Sequence, residues 1–132
     1  MKYLLIFFAV ILSIPVMAQE KMTRLAKLEI DPAQLDSYKA FLKEEIETSL
    51  KLEKGVLTLF AVFEKENPSK VTILEIYADS AAYNAHILTP HFLKYKKATG
   101  NMVKSLQLIA VDPLLPDLKL ISLPNDSKKI RH

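Results

Sequence analysis

Two histidines, His86 and His91, are the side chains in this 132-residue sequence that are best suited to proton-transfer chemistry. An imidazole has a pKa of about 6.5, so it can accept or donate a proton near neutral pH. On an unbroken helix, residues five apart would point about 140° away from each other. Pro90 disfavours helix at the residue before it, so the helix should break and the two rings can converge on one cavity. The alternative is two satisfied or surface histidines outside any site.

Glu75 is the carboxylate with the least usual surroundings, because it sits between Leu74 and Ile76 in an apolar strand. Such a carboxylate needs a partner, a raised pKa or a polar cavity, unless it reaches solvent at a sheet edge. Further candidates are aromatic side chains, which are more often core than pocket residues, a carboxylate that a solvated strand end explains better, and a cation that is either in the cavity or exposed: Tyr77, Phe92, Tyr95, Glu64 and Arg24.

The composition excludes several classes of chemistry. The chain has no cysteine, which excludes disulfides, iron–sulfur clusters, thiolate zinc sites and cysteine nucleophiles. Its only two glycines, Gly55 and Gly100, cannot build a glycine-rich phosphate loop. The histidines lack the HxH and HxxxH spacings of metal motifs, so a site made of both and a carboxylate is a weak prediction, and we expect no metal.

The N-terminus predicts export. Residues 1–18 combine a basic start, an apolar run that is short for a membrane span, and small residues before Gln19. We expect a signal peptide cleaved near Ala18 and Gln19, a periplasmic or secreted protein, and no membrane association after cleavage; an uncleaved anchor is the alternative. The formal charge of +3 comes from 18 basic and 15 acidic residues mixed along the chain, so we expect no nucleic-acid partner.

The hydrophobic pattern predicts one domain over residues 19–112, followed by a C-terminal tail over 113–132. Strands are expected over 22–30, 56–64, 71–78 and 105–111. A first helix begins at Asp31-Pro32 and stops at Gly55, with its glutamates, including Glu45, mostly away from the apolar stripe. A second helical region over 80–97 breaks near Leu88 and restarts at Thr89-Pro90. This β-α-β-β-α-β order predicts an α+β, ferredoxin-like fold with a four-stranded antiparallel sheet.

The second strand is apolar on both faces, which predicts a homodimer. Simple alternation places Leu57, Leu59, Ala61 and Phe63 on one face and Val56, Phe60 and Val62 on the other. One layer of helices can cover only one face of the sheet. A second copy of the chain is the simplest cover for the other.

The stretch from Glu75 to Phe92 carries a family resemblance. Glu75-Ile-Tyr77, the acidic turn at Asp79, the alanine-rich helix with His86, and Thr89-Pro-His91-Phe92 closely resemble the signature of the antibiotic biosynthesis monooxygenase domain family. The sequence looks most like its quinol monooxygenase branch, over roughly residues 22–112. The resemblance implies a dimeric α+β barrel with a pocket between sheet and helices in each subunit.

What the resemblance implies is oxygenation of a small aromatic substrate, a quinol or polyphenol, by O2 without flavin, haem or metal. His86 or His91 would then be the general base, Glu75 would orient it or bind a substrate hydroxyl, and aromatic side chains would wall the pocket. Two alternatives stay open on the same fold. One is an isomerase of a small sugar-derived signalling molecule, which predicts a small polar pocket. The other is a non-catalytic, exported ligand-binding dimer.

Overall fold

The computed structural model describes residues 19–116, so the proposed signal peptide and most of the tail lie outside the described residues. Four strands and three helices follow one another as β1 (Met22–Ile30), α1 (Leu35–Leu52), β2 (Val56–Phe63), β3 (Lys70–Tyr77), α2 (Ser80–His86), α3 (Pro90–Thr99) and β4 (Val103–Ala110). A single 3-10 turn, Pro32–Gln34, precedes α1. The predicted element order is confirmed.

The four strands form one antiparallel sheet in the order β2-β3-β1-β4. The α+β, ferredoxin-like fold is therefore confirmed. Residues directly opposite each other in an antiparallel pair share a face of the sheet. One face packs against the helices and forms the main core, whose buried members are Ala26, Leu28, Ile30, Tyr38, Leu42, Val71, Ile73, Tyr95 and Met102.

The break between α2 and α3 lies where the sequence predicts it. Thr89 caps α3, since its Oγ1 accepts a hydrogen bond from the backbone N–H of Phe92 at 3.4 Å. The same hydroxyl donates to the carbonyl of His86 at 2.7 Å, which ties the start of α3 to the end of α2. Pro90 is the first residue of α3. This local corner brings His91 back toward His86.

A bulge in β2 corrects the predicted face of two residues. Val56 lies opposite Tyr77 and Thr58 lies opposite Ile76, so Leu57 is the extra residue. Val56 therefore joins Leu59 in a buried cluster with Tyr77, while Leu57 is 44% exposed. The expectation from alternation that Val56 shares a face with Phe60 was wrong, because alternation does not count a bulge.

The turn between α1 and β2 touches α2 closely at Gly55. A methyl group on Gly55 would lie 2.5 Å from the Cβ of Ala82, so only glycine fits there without a shift. The Gly55 carbonyl also accepts a hydrogen bond from the N–H of Ala78 at 2.8 Å. The end of α1, next to Glu53, and the start of α2, whose last residue is His86, are thus held together.

The sheet face opposite the helices carries an apolar row. Phe60, Leu74, Leu25 and Ile109 stand directly opposite one another across all four strands. The buried clusters that involve the helices lie on the other face. Phe60 is 61% exposed at one end of this row.

Candidate active site

A cavity of about 430 Å³ lies between the sheet and the helices. Arg24, Ala26 and Leu28 alternate along β1 and so share the face that lines it. The walls are mostly apolar, and polar groups enter at a few points. The lining residues are Arg24, Ala26, Leu28, Leu42, Glu45, Ile46, Leu59, Ile73, Glu75, Tyr83, His86, Ile87, Phe92, Leu93, Tyr95, Lys96, Leu106 and Leu108.

Glu75 reaches this cavity paired with Arg24, its direct cross-strand neighbour. The Nε and Nη2 atoms of Arg24 donate to Oε2 of Glu75 at 2.8 and 2.6 Å. The guanidinium carbon also lies 4.4 Å from the ring centre of Tyr83, a cation–π contact. The partner that an apolar strand carboxylate requires is therefore Arg24, and both charges stand at one end of the cavity.

Tyr77 supports this pair from outside the cavity lining. Its hydroxyl donates to Oε2 of Glu75 at 3.3 Å, and its ring centre lies 5.4 Å from that of His86. Burial raises the pKa of the Tyr77 hydroxyl, so it stays protonated and remains a donor. Tyr77 thus helps to hold the Glu75 carboxylate in place and is not among the residues that line the cavity.

His86 is the histidine that faces the cavity, as the last residue of α2. It is 2% exposed. Its Nδ1 lies 3.0 Å from Oε2 of Glu53, and its Nε2 lies 3.5 Å from Oε1 of Glu45. The Phe92 ring packs on the imidazole with ring centres 4.9 Å apart. Carboxylates and an aromatic ring therefore fix the orientation of His86.

One carboxylate holds both histidines. The Nε2 of His91 lies 2.7 Å from the same Oε2 of Glu53 that faces His86. Burial alone would raise the pKa of Glu53, but the hydrogen bonds from His91 and His86 lower it, so the group is ionised at neutral pH. An ionised carboxylate only accepts hydrogen bonds, so both histidines donate to it. A neutral His86 therefore carries its proton on Nδ1 and presents the lone pair of Nε2.

Glu45 completes the cluster on the cavity side. Ser49, one turn further along α1, donates to Oε1 of Glu45 at 2.7 Å. Burial raises the pKa of Glu45 more than this hydrogen bond and the nearby His86 lower it. A buried carboxyl with a raised pKa beside an imidazole in a cavity wall is an arrangement suited to proton transfer.

The structure brings together some of the predicted site residues and not others. Phe92 and Tyr95 line the cavity, and the hydroxyls of Tyr95 and Tyr38 lie 2.8 Å apart. His91 is outside the cavity lining, on the far side of Glu53.

Glu64 is exposed just after β2 and is not brought to the cavity. The hairpin register explains its position, because Leu59, five residues earlier, is the residue of β2 that lies opposite Glu75.

Two functional candidates, Glu45 and Glu53, were missed from the sequence. Glu45 belongs to the buried residues of α1, with Tyr38, Leu42 and Ser49. These four positions have helical spacing. Extending the apolar stripe of α1 to include a glutamate and a serine would therefore have identified Glu45 as a buried residue. Glu53 is the residue that follows α1 as its C-cap. Nothing local in the sequence marks it, since its partners lie 33 and 38 residues away.

Comparison with known proteins identifies relatives of this chain. The model of the antibiotic biosynthesis monooxygenase family matches residues 22–98. A candidate antibiotic biosynthesis monooxygenase from Bacteroides thetaiotaomicron is 58% identical, over 80% of this chain and 100% of that one, with a TM-score of 0.77. No curated protein matches the chain.

More distant solved structures share the fold. A candidate monooxygenase from Lactobacillus acidophilus is 28% identical, with a TM-score of 0.67, over 71% of this chain and 51% of that chain. A candidate antibiotic biosynthesis monooxygenase from Nitrosomonas europaea is 15% identical, with a TM-score of 0.69, over 76% of this chain and 96% of that one. At this low identity the similarity to the Nitrosomonas protein shows the fold alone. None of the helices between residues 19 and 116 has the length and hydrophobicity that crossing a bilayer requires.

The Arg24–Glu75 pair gives a stability prediction. Replacing Arg24 with Met leaves the mostly buried Glu75 carboxylate without its cation, and we expect a loss of about 2–4 kcal/mol in the free energy of unfolding. The double variant Arg24→Met/Glu75→Leu should recover most of this loss, because no unpaired charge remains. Urea denaturation at one fixed protein concentration measures both.

The control for this prediction is Lys43→Met, which breaks the exposed Lys43–Glu47 pair on α1. We expect its free energy of unfolding to change by no more than about 0.5 kcal/mol. A cost for Arg24→Met as small as that of the control would contradict the role of the pair.

Proposed function

Because the chain belongs to the antibiotic biosynthesis monooxygenase family, we propose that it oxidises a quinol or a related polyphenol with O2, without a bound cofactor. The observation that carries this proposal is the apolar cavity of about 430 Å³ that has His86 and Glu45 in its wall. Such a cavity suits an aromatic ring, and the polar cluster supplies a proton acceptor at one point on its surface.

The character of the cavity favours this substrate class over the isomerase alternative. A sugar-derived substrate would need a small pocket with many hydrogen-bonding groups. Here apolar side chains from both the sheet and the helices form most of the wall, with Phe92 and Tyr95 among them. These side chains can exclude water from a bound aromatic ring, which favours the oxygenase over the isomerase. Turnover, which the oxygen-uptake measurement below detects, separates the oxygenase from a non-catalytic ligand-binding dimer.

We assign the general base to His86 rather than His91. A phenol has a pKa of about 10 and is mostly neutral at pH 7, so a base must remove its proton before O2 can react. Glu53 accepts the Nδ1–H of His86 and leaves the Nε2 lone pair free to take that proton. The negative charge of Glu53 then stabilises the imidazolium that forms. In this proposal Glu75 accepts a hydrogen bond from a second substrate hydroxyl, and its bonds from Arg24 and Tyr77 support this role by fixing the carboxylate.

The oxygen step balances without an external reductant. The phenolate passes one electron to O2, and the resulting radical and superoxide combine into a hydroperoxide on a ring carbon that bears hydrogen. Loss of water from this hydroperoxide leaves a carbonyl at that carbon. One quinol and one O2 thus give one hydroxyquinone and one water, and the proton held by His86 leaves with the water.

We also propose that the protein is a homodimer, with a second copy covering the apolar row of the sheet. The row crosses all four strands and ends in the exposed ring of Phe60, as a face built for another sheet would. The signal-peptide pattern of residues 1–18 further leads us to propose that the protein is exported.

Oxygen uptake by the purified mature chain, freed of metal, tests the proposed chemistry. With a panel of hydroquinones and polyphenols, we expect uptake above autoxidation. His86→Gln should lower it at least about 100-fold, because it removes the base. His91→Gln is the matched control and should reduce it far less, because His91 acts only through Glu53. Unchanged uptake in folded His86→Gln would remove the base assignment, and no uptake with any substrate would contradict the proposed activity.

Sedimentation velocity tests the homodimer. We expect the mature chain to sediment as a dimer, and Phe60→Lys to sediment as a monomer because it places a charge in the apolar row. Leu50→Lys introduces the same charge at an exposed leucine of α1 and should leave the dimer intact. A monomeric wild-type chain, or a dimer that survives Phe60→Lys, would contradict the proposed interface.

A further inference from the structure

We propose that Glu53, His86 and His91 form a binding site for a divalent transition-metal ion such as Zn²⁺. Each residue offers one donor atom, and the three atoms all lie within 4.8 Å of one another. Two imidazole nitrogens and one carboxylate oxygen are a donor set that zinc and related ions use in proteins, with a fourth position left for water. The sequence lacks the HxH and HxxxH spacings that are typical of such a donor set, because the ligands come from the ends of three different helices.

Two of the three donor–donor distances are close to those that an ion requires. The Oε2 of Glu53 lies 3.0 Å from Nδ1 of His86 and 2.7 Å from Nε2 of His91. A tetrahedral ion with bonds of about 2.0–2.1 Å holds its donors about 3.3 Å apart. The two imidazole nitrogens lie within 4.8 Å of each other. Side-chain rotations that bring them closer by at most about 1.5 Å therefore convert the hydrogen-bonded cluster into a coordination site.

Two features around the cluster favour a cation. The second nitrogen of His86 lies 3.5 Å from Oε1 of Glu45, which is itself held by Ser49 at 2.7 Å. A carboxylate on the free nitrogen of a ligating histidine is the usual outer support of metal sites. Glu53 also caps the C-terminal end of α1, where the helix dipole favours positive charge.

The cluster is also reachable. The side chains of His91 and Glu53 are 15% and 14% exposed, whereas that of His86 is almost fully buried. An ion can therefore enter from the side of His91 and keep a water ligand there, without passing through the apolar cavity.

The site has a consequence for the proposed oxygenase, and this consequence, unlike the site itself, rests on the proposed function. An ion on Nδ1 of His86 takes the place of the proton there, so the ring keeps its proton on Nε2, the nitrogen that faces Glu45 and the cavity. A metal-loaded His86 then has no lone pair for a phenolic proton. The ion would inhibit the reaction rather than assist it.

Titration with Co²⁺, a visible analogue of Zn²⁺, tests the site directly in the untagged mature chain after treatment with a chelator. We expect one Co²⁺ per chain, with the visible absorption of an ion bound by protein nitrogen and oxygen ligands, and displacement by Zn²⁺. Glu53→Gln and His91→Gln should each weaken binding at least about tenfold, since each removes a ligand. Glu47→Gln removes a carboxylate that is 64% exposed elsewhere on α1 and should leave binding unchanged.

The variants separate a metal site from a hydrogen-bonded cluster. Glutamine at position 53 keeps the size of the side chain and can still accept from the histidines, so the fold should survive, which circular dichroism checks. Absence of stoichiometric Co²⁺ binding, or binding that Glu53→Gln leaves unchanged, would overturn the proposal. Because no substrate is present, the result is independent of whether the chain consumes oxygen.

Discussion

The Glu53 carboxylate is the group on which the rest of the site depends, because one of its oxygens holds two imidazoles at once. Each of these residues stands at a helix end: Glu53 follows α1, His86 ends α2, and His91 lies in the first turn of α3. Their convergence requires α1 to stop where it does and the chain to turn at Thr89 and Pro90. The geometry of the site therefore depends on where the three helices begin and end as well as on its side chains.

The sheet supplies the other half of the site through its register. Arg24 and Glu75 face each other on neighbouring strands, which places a matched pair of charges at one end of an otherwise apolar cavity. Slipping either strand by one residue would turn its charge to the opposite face and its member of the apolar row inward. The same alternation thus produces the cavity on one face and the proposed dimer surface on the other.

Much of the fold and part of the site could be predicted from local rules. The helix break at Pro90 and the Thr89 cap are set by residues close in sequence, and the structure bears them out. The apolar strand neighbours of Glu75 likewise indicated that this carboxylate needs a partner, and Arg24 is that partner. The Arg24–Glu75 pair was not predicted as a pair because it joins strands 51 residues apart. Glu53 was missed for the same reason, and Val56 was misplaced because a bulge leaves no unmistakable mark in an apolar strand.

His86 connects the two proposals, since one of its nitrogens faces the cavity side and the other faces Glu53. Without a bound metal ion, His86 would act as the base that removes a proton from a bound quinol, so that the quinol can react with O2. The most direct measurement of that claim is the fate of ¹⁸O₂ during turnover, read by mass spectrometry of the product. We predict one ¹⁸O atom in each hydroxyquinone and the other in water. A product without label, formed while oxygen is reduced to hydrogen peroxide, would contradict monooxygenation.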